Sequence, residues 1–375
     1  MQIERFWLLD NLRGWASLSV VLFHYKHFYF SKTGALPNSF IKNEQPFYHA
    51  LAPFYDLGFH AVQLFFILSG FVFFSVYYDS IFRGSVNWRQ FWVARFSRLY
   101  PLHALTLLIV AFGQFISFKL TSQFFVYPIN DSYHFVLNCL LAPAWGFQSG
   151  ESFNGPVWSV SVEVLLYGAF FVYVSMRISP TARHLLIVLA LCFLVYLVSR
   201  QAPEAIATIL YSGICFAVGG IVFMIFETCS RLTRQKHLLF IAALLAWSCL
   251  GVVLFAVVGQ RLLLDFIAFP ALILALAFVQ RLAPDVGMST RLMGDVSYSA
   301  YLLHFPLQLL IVDAAAYYEF QMNFNRPSIV LLFVAVLFLL SGLTYYYLER
   351  PVQYFIRRKL SSLRKNVAGP ALRSA

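Results

Sequence analysis

Apolar residues in this 375-residue chain come in long blocks, each closed by a short polar or basic connector. The blocks fall near residues 12–31, 55–79, 100–119, 157–177, 182–200, 205–227, 238–258, 261–281, 292–316 and 328–349. About 20 apolar residues wound as a helix span a hydrocarbon layer of about 30 Å. The pattern therefore predicts an all-α polytopic membrane protein with about ten transmembrane helices. The run from Tyr133 to Trp145 is too short to cross and reads as a re-entrant or interfacial helix. The longest outer connection, about 120–156, is too short for a folded domain. Two units are expected: a transmembrane domain over 1–352 and a basic cytoplasmic tail over 353–375.

Composition agrees: 60% of residues are hydrophobic, 11% are charged and Phe alone contributes 41, more apolar surface than a soluble core absorbs. The formal net charge of +11 raises the question of an anionic partner. Threading the ten blocks with the N-terminus in the cytoplasm puts twenty of the 27 Lys and Arg residues on the inner side. That distribution satisfies the positive-inside rule with both termini cytoplasmic. Anionic membrane lipids then account for the charge, and no nucleic acid is needed. The first block carries Arg13 and His24 and no Ala-x-Ala cleavage site, so it reads as a retained span rather than a signal peptide. Cys139, Cys192, Cys215, Cys229 and Cys249 lie in or beside apolar segments without CxxC spacing, which makes them packing residues; no metal site is expected.

Polar residues inside the blocks carry the chemistry, because a charge within a span is costly and needs a reason. Arg13 and His24 are eleven residues apart, so they share a helix face about 16 Å apart along the axis. The threading puts Arg13 near the cytoplasmic face and His24 in the outer half. Glu163, in Trp158-Ser159-Val160-Ser161-Val162-Glu163, comes out at a similar depth to His24. A carboxylate beside a neutral imidazole fixes its tautomer and stabilises the imidazolium, so the two read as a general-base pair; helix packing through Ser or Trp donors is the plainer role for Glu163. His304, in Tyr301-Leu302-Leu303-His304-Phe305-Pro306, is also at comparable depth. Pro306 loosens its helix and frees a carbonyl, so His304 serves either the site or the local backbone. His60 and Gln63 read as rim or packing residues. Arg95 and Arg98, just before Tyr100-Pro101 opens the third span, share a face suited to bidentate capture of phosphate, although inner connectors are basic in any case.

Taken in order, Leu9-Asp10-Asn11-Leu12-Arg13-Gly14-Trp15-Ala16 leading to His24, Phe65-Phe66-Ile67-Leu68-Ser69-Gly70-Phe71, Arg95-x-x-Arg98, Trp158 to Glu163, Tyr301 to Pro306 and Glu349-Arg350-Pro351 resemble the successive signatures of the integral-membrane acyltransferase type 3 family. The resemblance runs from about Leu8 to Pro351. It implies a multi-pass enzyme of the bacterial inner membrane. Such an enzyme moves an acyl group, usually acetyl, from cytoplasmic acyl-CoA to a hydroxyl of an envelope glycan or lipid-linked sugar. Acetyl-CoA is then a co-substrate, with no permanently bound cofactor. By matching position the family's Arg-x10-His pair becomes Arg13 and His24 and its Arg-x-x-Arg pair becomes Arg95 and Arg98; with the reading above, His24 and Glu163 are the catalytic candidates, Glu163 orienting His24 or shaping the acceptor site, and Arg13, Arg95 and Arg98 the donor-binding ones. Ser69, Trp158, Ser159 and His304, which lie in the quoted segments, are the substrate-site candidates. Some relatives carry a hydrolase-like C-terminal domain; this chain shows none, so transfer is expected either within the membrane domain or through a separate extracytoplasmic transferase partner. The acceptor is left to the outer loops 31–54, 120–156 and 317–327, and a small-molecule hydroxyl is an open alternative. A proton-coupled transporter also places His and Glu in mid-membrane, but leaves Arg-x-x-Arg without a role. A non-catalytic scaffold would tolerate loss of Arg13 and His24.

Overall fold

A computed structural model describes residues 5–30, 36–177, 193, 197 and 204–367. Among them the chain forms a bundle of helices: α1 Trp7–His24, α2 Tyr48–Leu57, α3 Ala61–Phe82, α4 Trp88–Thr121, α5 Ser132–Cys139, α6 Trp158–Ser175, α7 Glu204–Cys229, α8 Arg234–Val258, α9 Phe269–Leu282, α10 Arg291–Asp295, α11 Ser297–Tyr317, α12 Pro327–Thr344 and α13 Arg350–Val367. Eight helical stretches among these residues are long and apolar enough to cross a membrane. They coincide with eight of the ten expected blocks. Apart from residues 193 and 197, the block 182–200, with Cys192, lies outside the described residues, as does the end of the expected tail, 368–375.

The first block departs from expectation. Its helix starts at Trp7 and stops at His24, where a 3₁₀ turn, Tyr25–Tyr29, takes over. Asp10, Asn11, Arg13 and His24 hold α1 below the hydropathy of the other spans, and the fold puts it in the interior, against α2, α3, α9, α10 and α11. The most apolar helices do the opposite. Only 17% of the most apolar stretch of α8 is buried, and 22% of that in the stretch containing α12. Lipid chains are as apolar as leucine, so nothing drives such helices inward, whereas polar side chains must find protein partners.

A second departure is α4. A capping box in which Asn87 and Gln90 satisfy each other's backbone N–H starts the helix at Trp88. Tyr100-Pro101 therefore lies inside the helix rather than opening it. The 34 residues extend about 51 Å, and Arg95 and Arg98 stand on this helix instead of on a connector. The short run after Tyr133 becomes α5 and a single turn, Pro143–Trp145. Helix α5 buries His134, Leu137 and Asn138 and exposes Tyr133 and Val136. His103 of α4 fastens it by a 2.8 Å bond to the Asn138 carbonyl.

Small residues set the closest helix contacts. A Cβ on Gly70 of α3 would lie 1.9 Å from the Phe216 carbonyl oxygen, and one on Gly219 of α7 would lie 1.9 Å from that of Ile67. Gly14 and Gly294 play the same part between α1 and α10. Such approach lets van der Waals packing and interhelical hydrogen bonds hold the bundle where lipid offers no hydrophobic drive.

Pro306 sits inside α11 without ending it. Having no N–H, it frees the Leu302 carbonyl four residues earlier. The buried Asn154 side chain, from the turn before α6, donates to that oxygen at 3.0 Å. An Asn154→Leu variant leaves a buried carbonyl without a donor and should lose about 1–3 kcal/mol of stability. Thermal unfolding of the detergent-solubilised protein checks this; an unchanged midpoint would mean the carbonyl has another donor.

Candidate active site

Three adjoining cavities run beside α1. At the end of the bundle where α1 begins, a space of about 370 Å³ is walled by Arg5, Asp10, Arg13, Arg98, Asp295 and Glu349. A narrow space of about 90 Å³ follows, walled by Arg13, Arg95, Arg98, Ser69, Ser159 and Glu163. The third, about 460 Å³, is faced by His24, Lys26, His27, Tyr127, Glu151 and Trp158. Arg13, Val72, Arg98 and Tyr298 wall both of the first two. Val62 and Tyr301 wall both of the last two.

The two arginines of Arg95-x-x-Arg98 have different surroundings. Arg95 is buried, donates to the Tyr77 hydroxyl and lies over the rings of Phe73, Tyr77 and Tyr167 at 5.1, 4.7 and 5.9 Å. An arginine so enclosed is held by cation–π contact as much as by hydrogen bonding. Arg98 makes no hydrogen bond or ion pair among the described residues and lines both of the first two cavities. Arg13 reaches Asp10 at 3.4 Å and faces the same two spaces.

Glu163 is held within the narrow cavity. One carboxylate oxygen accepts from the Ser69 hydroxyl at 2.8 Å and from the Tyr167 hydroxyl at 2.5 Å. It is not beside His24, which faces the third cavity. The expected proximity assumed that the first span continues to residue 31. Helix α1 instead stops seven residues sooner, about 10 Å of helix rise, which leaves His24 at the helix terminus while Glu163 lies more than a turn inside α6. Ser159 lines the narrow cavity, and its hydroxyl is 2.7 Å from that of Tyr301. Trp158 faces the third cavity.

His24 keeps different company. Its ring stacks on that of His304, with centroids 5.0 Å apart and planes at 27°, and approaches His27 at 4.9 Å. Nδ1 of His24 is 3.0 Å from the Val20 carbonyl, which can only accept, so Nδ1 carries the hydrogen and Nε2 keeps its lone pair. By the same logic His304 donates from Nδ1 to the Tyr301 carbonyl at 2.6 Å. Its Nε2 is buried without a partner. Gln308, one turn along α11, donates to the His24 carbonyl at 2.8 Å and accepts from His27 Nδ1 at 3.2 Å. His27 and Gln308 were not among the residues singled out from sequence. The spacings His24-x-x-His27 and His304-x-x-x-Gln308, each one helical turn, were the available signal. Among the described residues no three His, Cys, Asp or Glu side chains are grouped to hold a metal ion.

A family model described as an acyltransferase domain matches residues 6–347. The chain belongs to the acyltransferase type 3 family. Over 108 residues this acyltransferase-family chain is also 37% identical to "Protein 2 in picA locus" of Rhizobium radiobacter. That stretch is 29% of this chain and 45% of the other, so the chain spans less than half of that relative. No solved structure matches it.

In this type 3 acyltransferase domain, Tyr167 and Glu163 form a direct hydrogen-bonded pair within one helix. A double-mutant cycle of Tyr167→Phe and Glu163→Gln should give a coupling of about 1–3 kcal/mol in unfolding free energy. Additive effects would show that the carboxylate is held by other groups.

Proposed function

We propose that this protein transfers an acyl group, acetyl in the first instance, from cytoplasmic acyl-CoA to a hydroxyl of an envelope glycan or lipid-linked sugar across a bacterial inner membrane. Membership of an acyltransferase family supplies the reaction class. The observation that carries the reading further is the succession of cavities along α1, arginine-faced at one end and histidine-faced at the other.

The donor end is the one bearing the arginines. Coenzyme A carries a pyrophosphate and a 3′-phosphate, and Arg98 and Arg13 offer guanidinium groups suited to phosphate oxygens. The pantetheine arm is thin enough to run through the narrow cavity past Ser69, Ser159 and Glu163, bringing the thioester to His24. Arg95 acts indirectly, by holding Tyr77 and Tyr167 in place around Glu163. By the positive-inside rule this end faces the cytoplasm.

The acceptor end is the third cavity. Its volume falls within the range of small-molecule sites. Trp158 and Tyr127 offer faces for a sugar ring, and Lys26 and Glu151 offer polar partners for its hydroxyls. His24 Nε2, the unprotonated nitrogen, takes the hydroxyl proton as the oxygen adds to the thioester carbonyl. Collapse of the tetrahedral adduct breaks the C–S bond, and His24 returns the proton to the departing thiolate. Room for both partners favours direct transfer over a separate extracytoplasmic partner. Proton-coupled transport would leave Arg98 without a ligand.

Turnover of radiolabelled acetyl-CoA by the purified full chain in detergent, with a sugar acceptor screen, tests the proposal. His24→Ala should lower turnover by about 10²–10⁴-fold, the usual contribution of a general base. Arg98→Gln should raise the KM for acetyl-CoA about 10-fold or more with a smaller effect on kcat, as expected for a lost charge-assisted bond made equally in ground and transition states. Near-normal turnover in His24→Ala, or no binding of any acyl-CoA by folded wild-type protein, would sink it.

A further inference from the structure

His304 is a fully buried histidine in the middle of α11, and the local backbone does not require it. The carbonyl that Pro306 frees is taken by Asn154, and His304 turns its own Nδ1 hydrogen to Tyr301 instead. Its Nε2 is left buried and unpartnered, which is uncommon enough in folded proteins to need a reason. The ring does not line any of the three cavities. Its ring lies near-parallel to that of His24 at 5.0 Å and meets that of Tyr301 edge-on at 5.9 Å.

We infer that His304 is a positioning residue that supports His24 as a proton acceptor by stacking against it, in the place where a carboxylate partner would ordinarily stand. The inference rests on the proposed role of His24. Three rings meet His24: Phe23 edge-on at 5.2 Å, His27 tilted at 44° and His304 near-parallel at 27°. The other titratable groups around it are Lys26 on the following turn, Tyr301 on α11, and Tyr127 and Glu151 across the third cavity. Glu163, the carboxylate of the narrow cavity, is taken up by Ser69 and Tyr167. When His24 gains a proton at Nε2 it becomes a cation lying flat on a neutral ring. The hydrogen bond from His304 Nδ1 to Tyr301 pushes electron density into that ring, and an aromatic face stabilises a desolvated cation. Gln308 on the same face of α11 holds the His24 backbone, so helix α11 fixes both the position and the partner of the base.

The test reads the protonation of His24 directly. Diethylpyrocarbonate modifies unprotonated imidazole, and fragmentation mass spectrometry resolves His24 from His27. The pH dependence of His24 modification is followed in the detergent-solubilised full chain, alongside acetyl-CoA turnover. Loss of the stacked ring destabilises the protonated form, so the proton leaves at lower pH. His304→Ala should therefore move the modification midpoint about one pH unit lower and reduce turnover about 10-fold. His304→Phe, which keeps a flat ring, should restore the midpoint. If the alanine protein does not fold, His304→Leu fills the volume without a π-face and is expected to behave as alanine should. A midpoint unchanged in the folded alanine or leucine variant, or shifted equally in the phenylalanine variant, overturns the inference. A shifted midpoint in a protein that turns over no acyl-CoA upholds it and refutes the acyl-transfer reading instead.

Discussion

A polar helix in an apolar bundle has to be answered by its neighbours, and α1 is that helix. Burying an unpartnered polar group costs several kcal/mol where no water can reach it. Asn11 donates to the Gly287 carbonyl at 2.9 Å and to the Thr290 hydroxyl at 2.7 Å, and Ser17 donates to the Ser297 carbonyl at 2.9 Å. The Leu8 amide, one of the donors a helix start leaves open, finds the Gln280 side chain at 2.8 Å. Arg5 binds both Asp10 and Asp295, and Gln308 takes the His24 carbonyl. All of these distant partners come from residues 280–308. The first helix is thus completed by the last third of the chain, and the cavities lie where α3, α4 and α6 and the turns beside them close over that pairing.

Much of this was legible in order along the sequence and little of it in depth. The apolar blocks gave the helical class and placed eight spans, because hydrophobic length is a local property. The limits of α1 and α4 were not visible in that way. His24 ends a helix because a 3₁₀ turn braced by Gln308 follows it, and Gln308 is 284 residues away. Helix α4 begins at Trp88 because of an Asn–Gln capping box, a local signal overridden in the sequence reading by the weight given to Pro101. The first of these boundaries is what separated Glu163 from His24, and the second put Arg95 and Arg98 on a helix. The division between Arg95 and Arg98 was likewise hidden: three-residue spacing puts both on one face, but only the fold brings Phe73, Tyr77 and Tyr167 around one of them.

The proposed reaction asks one small domain to take substrates of opposite character. The donor would be a polyanion and the acceptor a polyol. The structure keeps guanidinium groups at one end of α1 and imidazoles with aromatic faces at the other, about 16 Å apart by helix rise. Glu163 lies between them, tied by the Ser69 and Tyr167 hydroxyls rather than paired to an arginine.

A membrane that stores an electrochemical gradient cannot tolerate a conduit for protons or small cations. Chambers laid end to end through a helical bundle would be such a conduit if their waist were neutral. Here the waist is about 90 Å³ and bears three arginines against one glutamate. Fixed positive charge at a constriction repels cations from it, so under the proposed reaction the residues that take the anionic donor would also insulate the bundle against cation leak.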